Sequence, residues 1–523
     1  MSAKKDIFIF DSTLRDGAQS EGISFSVKDK INIVEALDYI GVKYIEAGNP
    51  GSNPKDLEFF SEARNIHLKN ARLTAFGSTR RRDIKPEDDA NVQSLLLAET
   101  PAVSIFGKSW DFHVTDIIKT TKDENLKMIK DTIAFFKSSG KEVIFDAEHF
   151  FDGYKNNPEY ALKTLEAALE GGADSLCLCD TNGGSFPDDV FNTTKLVCNK
   201  FSGSIIGIHA HDDGGMAVAN SILAVSAGAK QVQGTFIGFG ERCGNANLSA
   251  IIPNLQLKRG YNCIPDNTIS HLTKTSRRIA SIANIILQDS LPFVGMRAFT
   301  HKAGMHIDGV NKASKSFEHL DPELIGNERR FLMSEVAGRS SVLQKIQLID
   351  PDINKDSPET KEILDRLKEL EHEGYQFEGA ENSFELVIKR HLKKYKPFFE
   401  LEHFKIIGEQ PAINREISSS ALVKVRVGNE TAINAAEGDG PVNALDKALR
   451  KSLDGFFPQL KNVKLTDYKV RVLDTKDATA AKVRVIIEST DGENIWNTVG
   501  VSTDIIEASW KALVDSIEYK LLI

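Results

Sequence analysis

The residues most able to do chemistry in this sequence are two histidines two positions apart, His209 and His211, which Asp212 and Asp213 follow. An apolar run precedes them and predicts a buried strand over 204–210. Residues two apart on a strand point to the same face, so both imidazoles should leave the strand end in one direction. Imidazole is the commonest protein metal ligand at neutral pH. The pattern favours a metal site over two unrelated core histidines.

The elements that must position these histidines are predicted from the alternation of short apolar and longer amphipathic runs over residues 1–300. Strand-plus-helix units in tandem indicate an α/β fold, and eight of them are what a closed (β/α)8 TIM barrel requires. An open doubly wound sheet is the alternative, but no glycine-rich phosphate motif follows the first strand. The predicted strands are Ile7–Asp11, Tyr44–Gly48, Arg72–Phe76, Val103–Phe106, Glu142–Asp146, Ser175–Asp180, Ser204–Ala210 and Gln231–Ile237. Predicted helices include Lys28–Ile40, Asp123–Ser138, Pro158–Gly171 and Asp188–Lys200.

Polar residues recur where these predicted strands end. A single such residue is more often an ordinary loop residue, but barrel enzymes carry their chemistry where strands end and loops begin. The recurrence therefore indicates an active site at one end of the barrel. Its candidate members are Asp11, Thr13, Arg15, Asp16, Gln19, Glu46, Asn49, Asp146, Glu148, His149, Asp180, Thr181, Asn182, His209, His211, Glu241, Arg242 and Asn245.

Composition excludes several classes of protein. The 523 residues predict about three domains, or one barrel with appendages. A net charge of -9 argues against a nucleic-acid partner. No apolar stretch reaches the roughly 18 residues of a membrane span, and a strand-like run begins at Ile7 without a signal sequence. With five cysteines, an odd number that suits reduced thiols, these features predict a cytoplasmic protein.

The rest of the chain predicts two further domains. Residues 301–396 are charged and helix-rich, which indicates a helical linker subdomain with helices over 361–373 and 383–394. Residues 397–523 contain an internal repeat, and each half reads as strand, strand, helix. One such unit cannot bury its sheet alone, so the halves should pack together or across a dimer. We interpret this α+β region as a regulatory or dimerisation domain. The repeated segments are Lys424-Val-Arg-Val and Lys482-Val-Arg-Val, with helices at 443–449 and 507–513.

Two motifs resemble a known enzyme family. They are Leu14-Arg15-Asp16-Gly17-Ala18-Gln19, with Lys30 beyond it, and the His-x-His-Asp-Asp-x-Gly segment from His209. Together they resemble the signatures of the 2-isopropylmalate, homocitrate and citramalate synthases, which are acyl-CoA-condensing metallolyase TIM barrels. The C-terminal repeat is similar to the amino-acid-sensing dimer domain of that family. Three more stretches resemble its citramalate synthase branch, at 75–81, 106–110 and 145–154.

The resemblance implies a reaction and several partners. The branch condenses acetyl-CoA with pyruvate and water to give (R)-citramalate and CoA, a route into isoleucine, so isoleucine is the implied effector of a homodimer. Because one methylene in a pocket is worth only ~1–3 kcal/mol, 2-oxoisovalerate and 2-oxoglutarate stay open as substrates. A metal-dependent lyase such as hydroxymethylglutaryl-CoA lyase is a further alternative, but those lyases usually stop after the barrel. A non-catalytic amino-acid sensor would not need the intact motif residues.

Electrophilic activation of a 2-oxo acid gives the first set of roles. One divalent metal (Mn, Mg, Co or Zn) held by Asp16, His209 and His211 can chelate the carboxylate and carbonyl oxygens of the acid. The resemblance adds Asn245 as a further ligand, and the mixed oxygen and nitrogen set does not select the metal. Arg15 can stabilise the alkoxide that forms. Its alternative role is a salt bridge to a barrel carboxylate.

The second set of residue roles concerns the removal of a proton from the acetyl group. Glu148 is the predicted base, with His306 as its acid/base partner and Asp308 orienting that histidine. Thr181, together with Arg15 and Asp16, is expected to bind the oxo acid, as the family implies; a turn-capping threonine is the competing interpretation.

The sequence departs from the family in the linker. The family places a tyrosine, which reaches the active site of the partner chain, where this sequence has Phe317. A catalytic hydroxyl at that position is therefore excluded, and His319 is a candidate to substitute for it.

Overall fold

The computed structural model describes residues 4–302, 304–331, 339–377, 380–409, 418–473, 481–492 and 494–523. They form two compact units. The first contains the residues up to Thr300 together with Glu318–Arg330, and the second contains His301–Phe317 and Phe331–Ile523. None of the helices in the described ranges is long and apolar enough to span a membrane.

The first unit is a closed eight-stranded parallel barrel, which confirms the predicted fold. Strand β1 pairs in parallel with β2 and also with β8, where Phe8 lies opposite Gln231 and Asp11 opposite Gly234. Closure therefore brings the first, seventh and eighth strands side by side. The strands are β1 Phe8–Asp11, β2 Tyr44–Glu46, β3 Arg72–Ser78, β4 Ala102–Lys108, β5 Glu142–Glu148, β6 Ser175–Asp180, β7 Ile205–Ala210 and β8 Gln231–Gly234.

The barrel helices begin and end at residues that suit helix termini. The helix after β1 starts with a capping box in which Ser26 and Asp29 satisfy each other's backbone, and it ends at Gly41 with a φ of 97°. The predicted helices agree with the structure to within one residue. The helices are α1 Val27–Ile40, α2 Pro54–Ala63, α3 Ala90–Leu97, α4 Lys122–Ser138, α5 Phe150–Asn156, α6 Pro158–Gly171, α7 Pro187–Lys200, α8 Ala217–Ala227, α9 Leu248–Pro253 and α10 Leu272–Ile282.

The end of the eighth strand differs from the prediction. The strand stops at Gly234, and Phe236–Gly238 forms a short 3-10 turn with Ile237 at a φ of 55°. The backbone N–H of Phe236 donates to Thr13 Oγ1 at 3.0 Å, and the Thr235 N–H donates to the Ala246 carbonyl. The residues after Gly234 therefore do not extend the strand, because their backbone N–H groups form hydrogen bonds with loop residues instead of with a neighbouring strand.

Residues 318–330 were predicted to be part of the linker, but the structure places them with the barrel. Ile325 is fully buried, and its carbonyl accepts a hydrogen bond from Thr273 Oγ1 at 2.8 Å. The Asn327 amide donates to the carbonyls of Phe293 and Gly295. Hydrogen bonds between side chains and backbone carbonyls therefore hold residues 318–330 against the barrel unit. Two strands of two residues each, β9 Thr300–His301 and β10 Arg330–Phe331, span the positions where the chain passes from one unit to the other.

The second unit begins with helices, as predicted. The three helices after residue 338 pack around Ile346, Ile363 and Phe384, and this core also includes Val499 and Val501 from the last strand of the chain. The helical segment therefore packs against the last strand of the C-terminal repeat, whose two halves bury a separate core of their own. The helices are α11 Gly304–Lys312, α12 Arg339–Ile349, α13 Pro358–Glu373 and α14 Glu381–His391.

The C-terminal repeat is confirmed, with one strand more in each half than predicted. Each half is a three-stranded antiparallel sheet followed by a helix. The two repeated segments quoted from the sequence lie in, or at the start of, the central strands β12 and β15. The additional strands are polar and partly exposed, so their apolar alternation is weak. The elements are β11 Glu400–Glu409, β12 Ser418–Val427, β13 Glu430–Gly438, α15 Pro441–Leu453, β14 Lys464–Val472, β15 Val483–Thr490, β16 Ile495–Ser502 and α16 Ile505–Leu522.

Candidate active site

Three of the predicted metal ligands converge at the C-terminal end of the barrel. Asp16 follows β1, His209 lies in β7 and His211 directly follows that strand. Asp16 Oδ2 is 3.5 Å from His209 Nε2 and 3.8 Å from His211 Nε2, and the two Nε2 atoms are 3.3 Å apart. All three residues are buried, and one ligand atom from each lies within 4.8 Å of the others. The spacing is compact enough for one ion to bind all three.

Asn245, the fourth predicted ligand, joins the same cluster. Its Nδ2 donates to Asp16 Oδ1 at 2.9 Å, and its backbone forms a bridge with His211. Its Oδ1 is buried without a hydrogen-bond partner among the residues that the structure describes. Buried acceptors are normally satisfied, so this oxygen fits a metal ligand. The donor set of carboxylate, amide oxygen and two imidazoles suits a divalent cation.

The electrostatics of the cluster also fit a cation. Burial opposes the charge of Asp16, but Arg15 and the two imidazoles outweigh it and hold the pKa of Asp16 well below its usual range. Burial and the neighbouring His209 lower the pKa of His211 to about 4, which leaves that ring neutral at neutral pH. Burial also opposes the charge of His209, but the Asp16 carboxylate prevails and raises the pKa of His209. Metal ligands bind as an ionised carboxylate and neutral imidazoles, so a bound cation would compete with protonation of His209.

A hydrogen-bond network inside the barrel orients His209. Gln233 Nε2 donates to Asp146 Oδ1 at 2.9 Å, so Gln233 Oε1 must accept, and His209 Nδ1–H donates to it at 3.0 Å. Asp146 Oδ2 accepts from Ser104 Oγ at 2.5 Å. Burial and the nearby Glu46 raise the pKa of Asp146 to about 6. The network fixes the proton on Nδ1 and leaves Nε2 facing Asp16.

Arg15 makes the salt bridges that were expected as its alternative role, and it lies beside the ligand cluster. Its Nη1 donates to Asp16 Oδ2 at 2.8 Å, and its Nε donates to Glu46 Oε2 at 2.6 Å. Glu46 is fully buried and accepts a second hydrogen bond from Ser12 Oγ at 2.6 Å. The guanidinium also lies 3.8 Å over the Phe76 ring. Arg15 is thus a salt-bridge partner of barrel carboxylates and at the same time a cation fixed beside the ligand cluster.

Glu148, the predicted base, ends β5 two residues after Asp146, so both side chains face the barrel interior. Lys108 Nζ forms an ion pair with Glu148 Oε2. Thr181 lies at the end of β6, where its Oγ1 accepts from the His149 N–H at 2.9 Å. That contact joins Thr181 to the loop after β5, and it leaves the hydroxyl hydrogen for another acceptor.

The predicted acid/base pair, His306 and Asp308, lies in the second unit. The His306 ring stacks on Phe317 with ring centres 4.2 Å apart, and Asp308 forms an ion pair with Lys312 at 2.6 Å. Their predicted catalytic roles remain predictions. His319 belongs to the first unit and packs against the rings of Phe293 and Phe299, where burial lowers its pKa.

Sequence reasoning missed Gln233, Ser104 and Lys108. The sequence does carry a signal for Gln233. Gln231 and Gln233 lie two positions apart in a short strand whose four residues are all buried. Polar side chains two apart in such a strand point to one face, here the barrel interior. The partners of these residues come from other strands and could not be inferred from spacing.

Comparison with protein families first defines the class. Residues 6–286 match the HMGL-like model, residues 293–375 match the homocitrate synthase post-HMGL domain-like model, and residues 378–521 match the LeuA allosteric (dimerisation) domain. These matches follow the barrel, the helical segment and the C-terminal repeat in order.

Full-length relatives then define the family. An (R)-citramalate synthase from Aquifex aeolicus is 53% identical, covering 99% of this chain and 98% of the relative. One from Geobacter sulfurreducens is 49% identical over 98% of this chain and 97% of its own length. A 2-isopropylmalate synthase from Pseudoalteromonas atlantica is 31% identical over 97% of this chain and 94% of its own length. The chain belongs to the (R)-citramalate synthase family, whose members are acyltransferase-type condensing enzymes.

Proposed function

We propose that this enzyme condenses acetyl-CoA with pyruvate and water to give (R)-citramalate and CoA, with one divalent metal ion held by Asp16, His209, His211 and Asn245. The observation that supports this most is the buried cluster of ligand atoms within 4.8 Å of one another at the C-terminal barrel end. The choice of pyruvate rests on the relatives, since (R)-citramalate synthases reach 53% identity and the 2-isopropylmalate synthase from Pseudoalteromonas atlantica reaches 31%.

The residues around the cluster would bind and polarise the oxo acid. A divalent ion there would supply Lewis-acid polarisation of the oxo-acid carbonyl. Arg15, held by Glu46 and Asp16, offers a fixed positive charge where the carbonyl oxygen becomes an alkoxide. Thr181 carries a hydroxyl hydrogen that can be donated to the substrate carboxylate. Because these donors are already positioned, little reorganisation is needed when the charge develops.

Glu148 would remove a proton from the acetyl methyl group. Its carboxylate forms an ion pair with Lys108. The resulting enolate carbon forms a bond to the carbonyl carbon of pyruvate, whose oxygen becomes the alkoxide and then takes a proton. Water next cleaves the thioester, so that CoA leaves as the thiol. We assign the role of acid/base partner to His306, and we assign to Asp308 the role of orienting the His306 ring.

The test measures CoA release with pyruvate, 2-oxobutyrate, 2-oxoisovalerate and 2-oxoglutarate, each with and without a metal chelator. We expect pyruvate to give the highest kcat/KM and the chelator to abolish turnover until a divalent metal is restored. His209→Ala should lose metal binding, and Glu148→Gln should bind metal normally but lose turnover about 10²–10⁴-fold. Equal or better turnover of 2-oxoisovalerate would instead support 2-isopropylmalate synthase activity.

We also propose isoleucine as the effector, a homodimer as the assembly and the cytoplasm as the location. The match of residues 378–521 to the LeuA allosteric (dimerisation) domain supports the first two. All five cysteines are free thiols, which suits a reducing compartment. Inhibition by isoleucine, leucine and valine, compared in one assay, tests the effector. Stronger inhibition by leucine would contradict the isoleucine assignment.

A further inference from the structure

The barrel interior contains a second group of potential metal ligands. Among the described residues, one ligand atom each from Asp146, Cys177 and Cys179 lies within 4.8 Å of the other two, and all three residues are buried. The two cysteines occur in an apolar run of the sequence, where a thiol is usually an ordinary core residue. The proposed function gives neither of them a role.

The strand register explains why these side chains meet. Cys177 of β6 lies opposite Asp146 of β5, and Cys179 of β6 lies opposite His209 of β7. Paired residues of neighbouring strands point to the same face of a sheet, and Asp146 and His209 are joined inside the barrel through Gln233. Both thiols therefore point into the barrel interior and not into the core between the barrel and its helices.

The two thiols are placed to act together without forming a disulfide. Side chains two apart on a strand leave the backbone about 6.6 Å from each other, whereas a disulfide needs a Cβ separation of about 3.5–4.5 Å. Both cysteines are free. A tetrahedral ion with metal–sulfur bonds of about 2.3 Å holds its sulfur ligands about 3.8 Å apart, which is within the 4.8 Å that spans this group. The pair therefore suits a metal ion better than a disulfide.

A buried amide beside the thiols also lacks partners. Gln231 is fully buried, and neither its Oε1 nor its Nε2 has a hydrogen-bond partner in the part of the chain that the structure describes. Gly207 lies between them, opposite Cys177 on one side and opposite Gln231 on the other. A Cβ added to Gly207 would meet Gln231 Oε1 at 2.8 Å, so the amide extends over the glycine in the direction of Cys177. Since buried acceptors are normally satisfied, this oxygen is available as a further ligand.

The donor set selects the kind of ion. Thiolates prefer Zn²⁺ and its heavier analogue Cd²⁺, whereas Mg²⁺ and Mn²⁺ prefer oxygen ligands. Burial raises the pKa of the Cys177 thiol well above its ordinary value, so its sulfur keeps its proton unless an ion that binds sulfur strongly displaces it. The group therefore discriminates against the ions that prefer carboxylate oxygens.

The Asp146 carboxylate connects this group to the proposed catalytic metal site. Its Oδ1 accepts from Gln233 and its Oδ2 from Ser104, and Gln233 in turn orients His209. A carboxylate has about four lone-pair positions, so Asp146 can also accept an ion. An ion bound there would draw the carboxylate away from Gln233 and weaken the contact that orients His209.

We propose that Cys177, Cys179 and Asp146 form a second metal site, which takes one thiophilic divalent cation such as Zn²⁺ or Cd²⁺, and that occupation of this site lowers turnover through Gln233. Each thiol proton passes to solvent as its sulfur binds the ion. The ion enters from the C-terminal end of the barrel, where Cys179 is 5% exposed, and Cys177 beyond it is fully buried. Metal binding here is independent of the proposed function, whereas its effect on turnover rests on that function.

The test titrates Cd²⁺ into the full-length enzyme after the cluster of Asp16, His209, His211 and Asn245 has been saturated with Mg²⁺. We expect one equivalent of Cd²⁺ to give the ultraviolet charge-transfer absorption of cadmium–thiolate bonds, and kcat to fall about tenfold as that absorption grows. Cys177→Ser/Cys179→Ser should lose both effects and keep its activity with Mg²⁺. Cadmium X-ray absorption of the wild type should show two sulfur neighbours, which is a measurement that needs no variant.

The matched control replaces the other three cysteines, Cys198, Cys243 and Cys263, with serine. It retains the pair and should match the wild type in absorption and in inhibition. The proposed site is overturned if the wild type shows no charge-transfer absorption, or if Cys177→Ser/Cys179→Ser keeps it. Its effect on turnover is overturned if kcat stays constant while the absorption grows, or if Cd²⁺ inhibits the double variant as strongly as the wild type. Failure of the proposed function has another signature, namely no CoA release, without Cd²⁺, from acetyl-CoA and any of the four oxo acids.

Discussion

Gln233→Leu offers a sharp test of how the metal site is held together. Leucine fills a similar volume but has no amide, so the variant removes the hydrogen bond that His209 Nδ1–H donates and the one that Asp146 Oδ1 accepts. Among the described residues, His211 Nδ1 has no hydrogen-bond partner. His209 is therefore the one imidazole of the cluster that this change should disorient.

The expected loss of metal affinity follows from the polar atoms of His209 and Asp146 that the change leaves buried without a partner. A buried polar group without a partner costs about 1–3 kcal/mol, and residues that orient metal ligands typically affect metal affinity 10–100-fold. We therefore expect Gln233→Leu to weaken metal binding about 10–100-fold, equivalent to about 1.4–2.8 kcal/mol. The kcat should recover substantially at saturating metal, because the ligand atoms themselves are still present.

Gln231→Leu is the matched control for this experiment. Gln231 lies two residues earlier in β8 and is equally buried, but both polar atoms of its amide lack hydrogen-bond partners among the residues described. Metal affinity is measured by titration calorimetry with Mn²⁺ or Co²⁺, and activity is followed against metal concentration. The reasoning is refuted if Gln233→Leu binds metal within twofold of the wild type, or if Gln231→Leu weakens binding by the same factor.

Two further predictions concern stability. Lys30→Met should destabilise the barrel by about 3–5 kcal/mol in urea unfolding, because it leaves the Asp56 carboxylate buried without the ammonium that now lies 2.6 Å away. Asp11→Asn should flatten the pH dependence of stability. Burial raises the pKa of Asp11 from 3.8 to about 7, so the folded protein resists an ionisation that the unfolded chain accepts. The contribution of Asp11 to wild-type stability should therefore fall as pH rises from about 4 to about 7, by up to about 4 kcal/mol, and the variant should lack that contribution.

A specific result would contradict each of these two predictions. Lys30→Met/Asp56→Asn should regain much of the stability lost in the single variant, and a double variant no more stable than the single one would argue against an uncompensated charge. For Asp11→Asn, the midpoint of urea unfolding is compared with the wild type at several pH values between 4 and 8. Parallel curves for the two proteins would show that Asp11 does not titrate with a raised pKa.

The barrel and its principal ligands could be predicted from the sequence because both depend on local spacing. Apolar runs with a period of two or of 3.6 are recorded in neighbouring residues, so the eight strand-plus-helix units were visible. The alternation at His209 and His211 placed two imidazoles on one face in the same way. The C-terminal repeat was found as well, although its polar, partly exposed strands carried too little apolar alternation to be counted.

The tertiary structure alone decided which distant residues meet. Closure of the barrel places β8 beside β7 and β1, and inside it Gln233 can join His209 to Asp146, residues 24 and 87 positions away. Arg15 likewise contacts carboxylates from two different strand ends. No periodic pattern contains such contacts, because they depend on strand register and on side chains crossing the barrel interior. The sequence by itself determined the fold and the residue types of the proposed ligand cluster, and the closed ring determined the orientation and the charges of those residues.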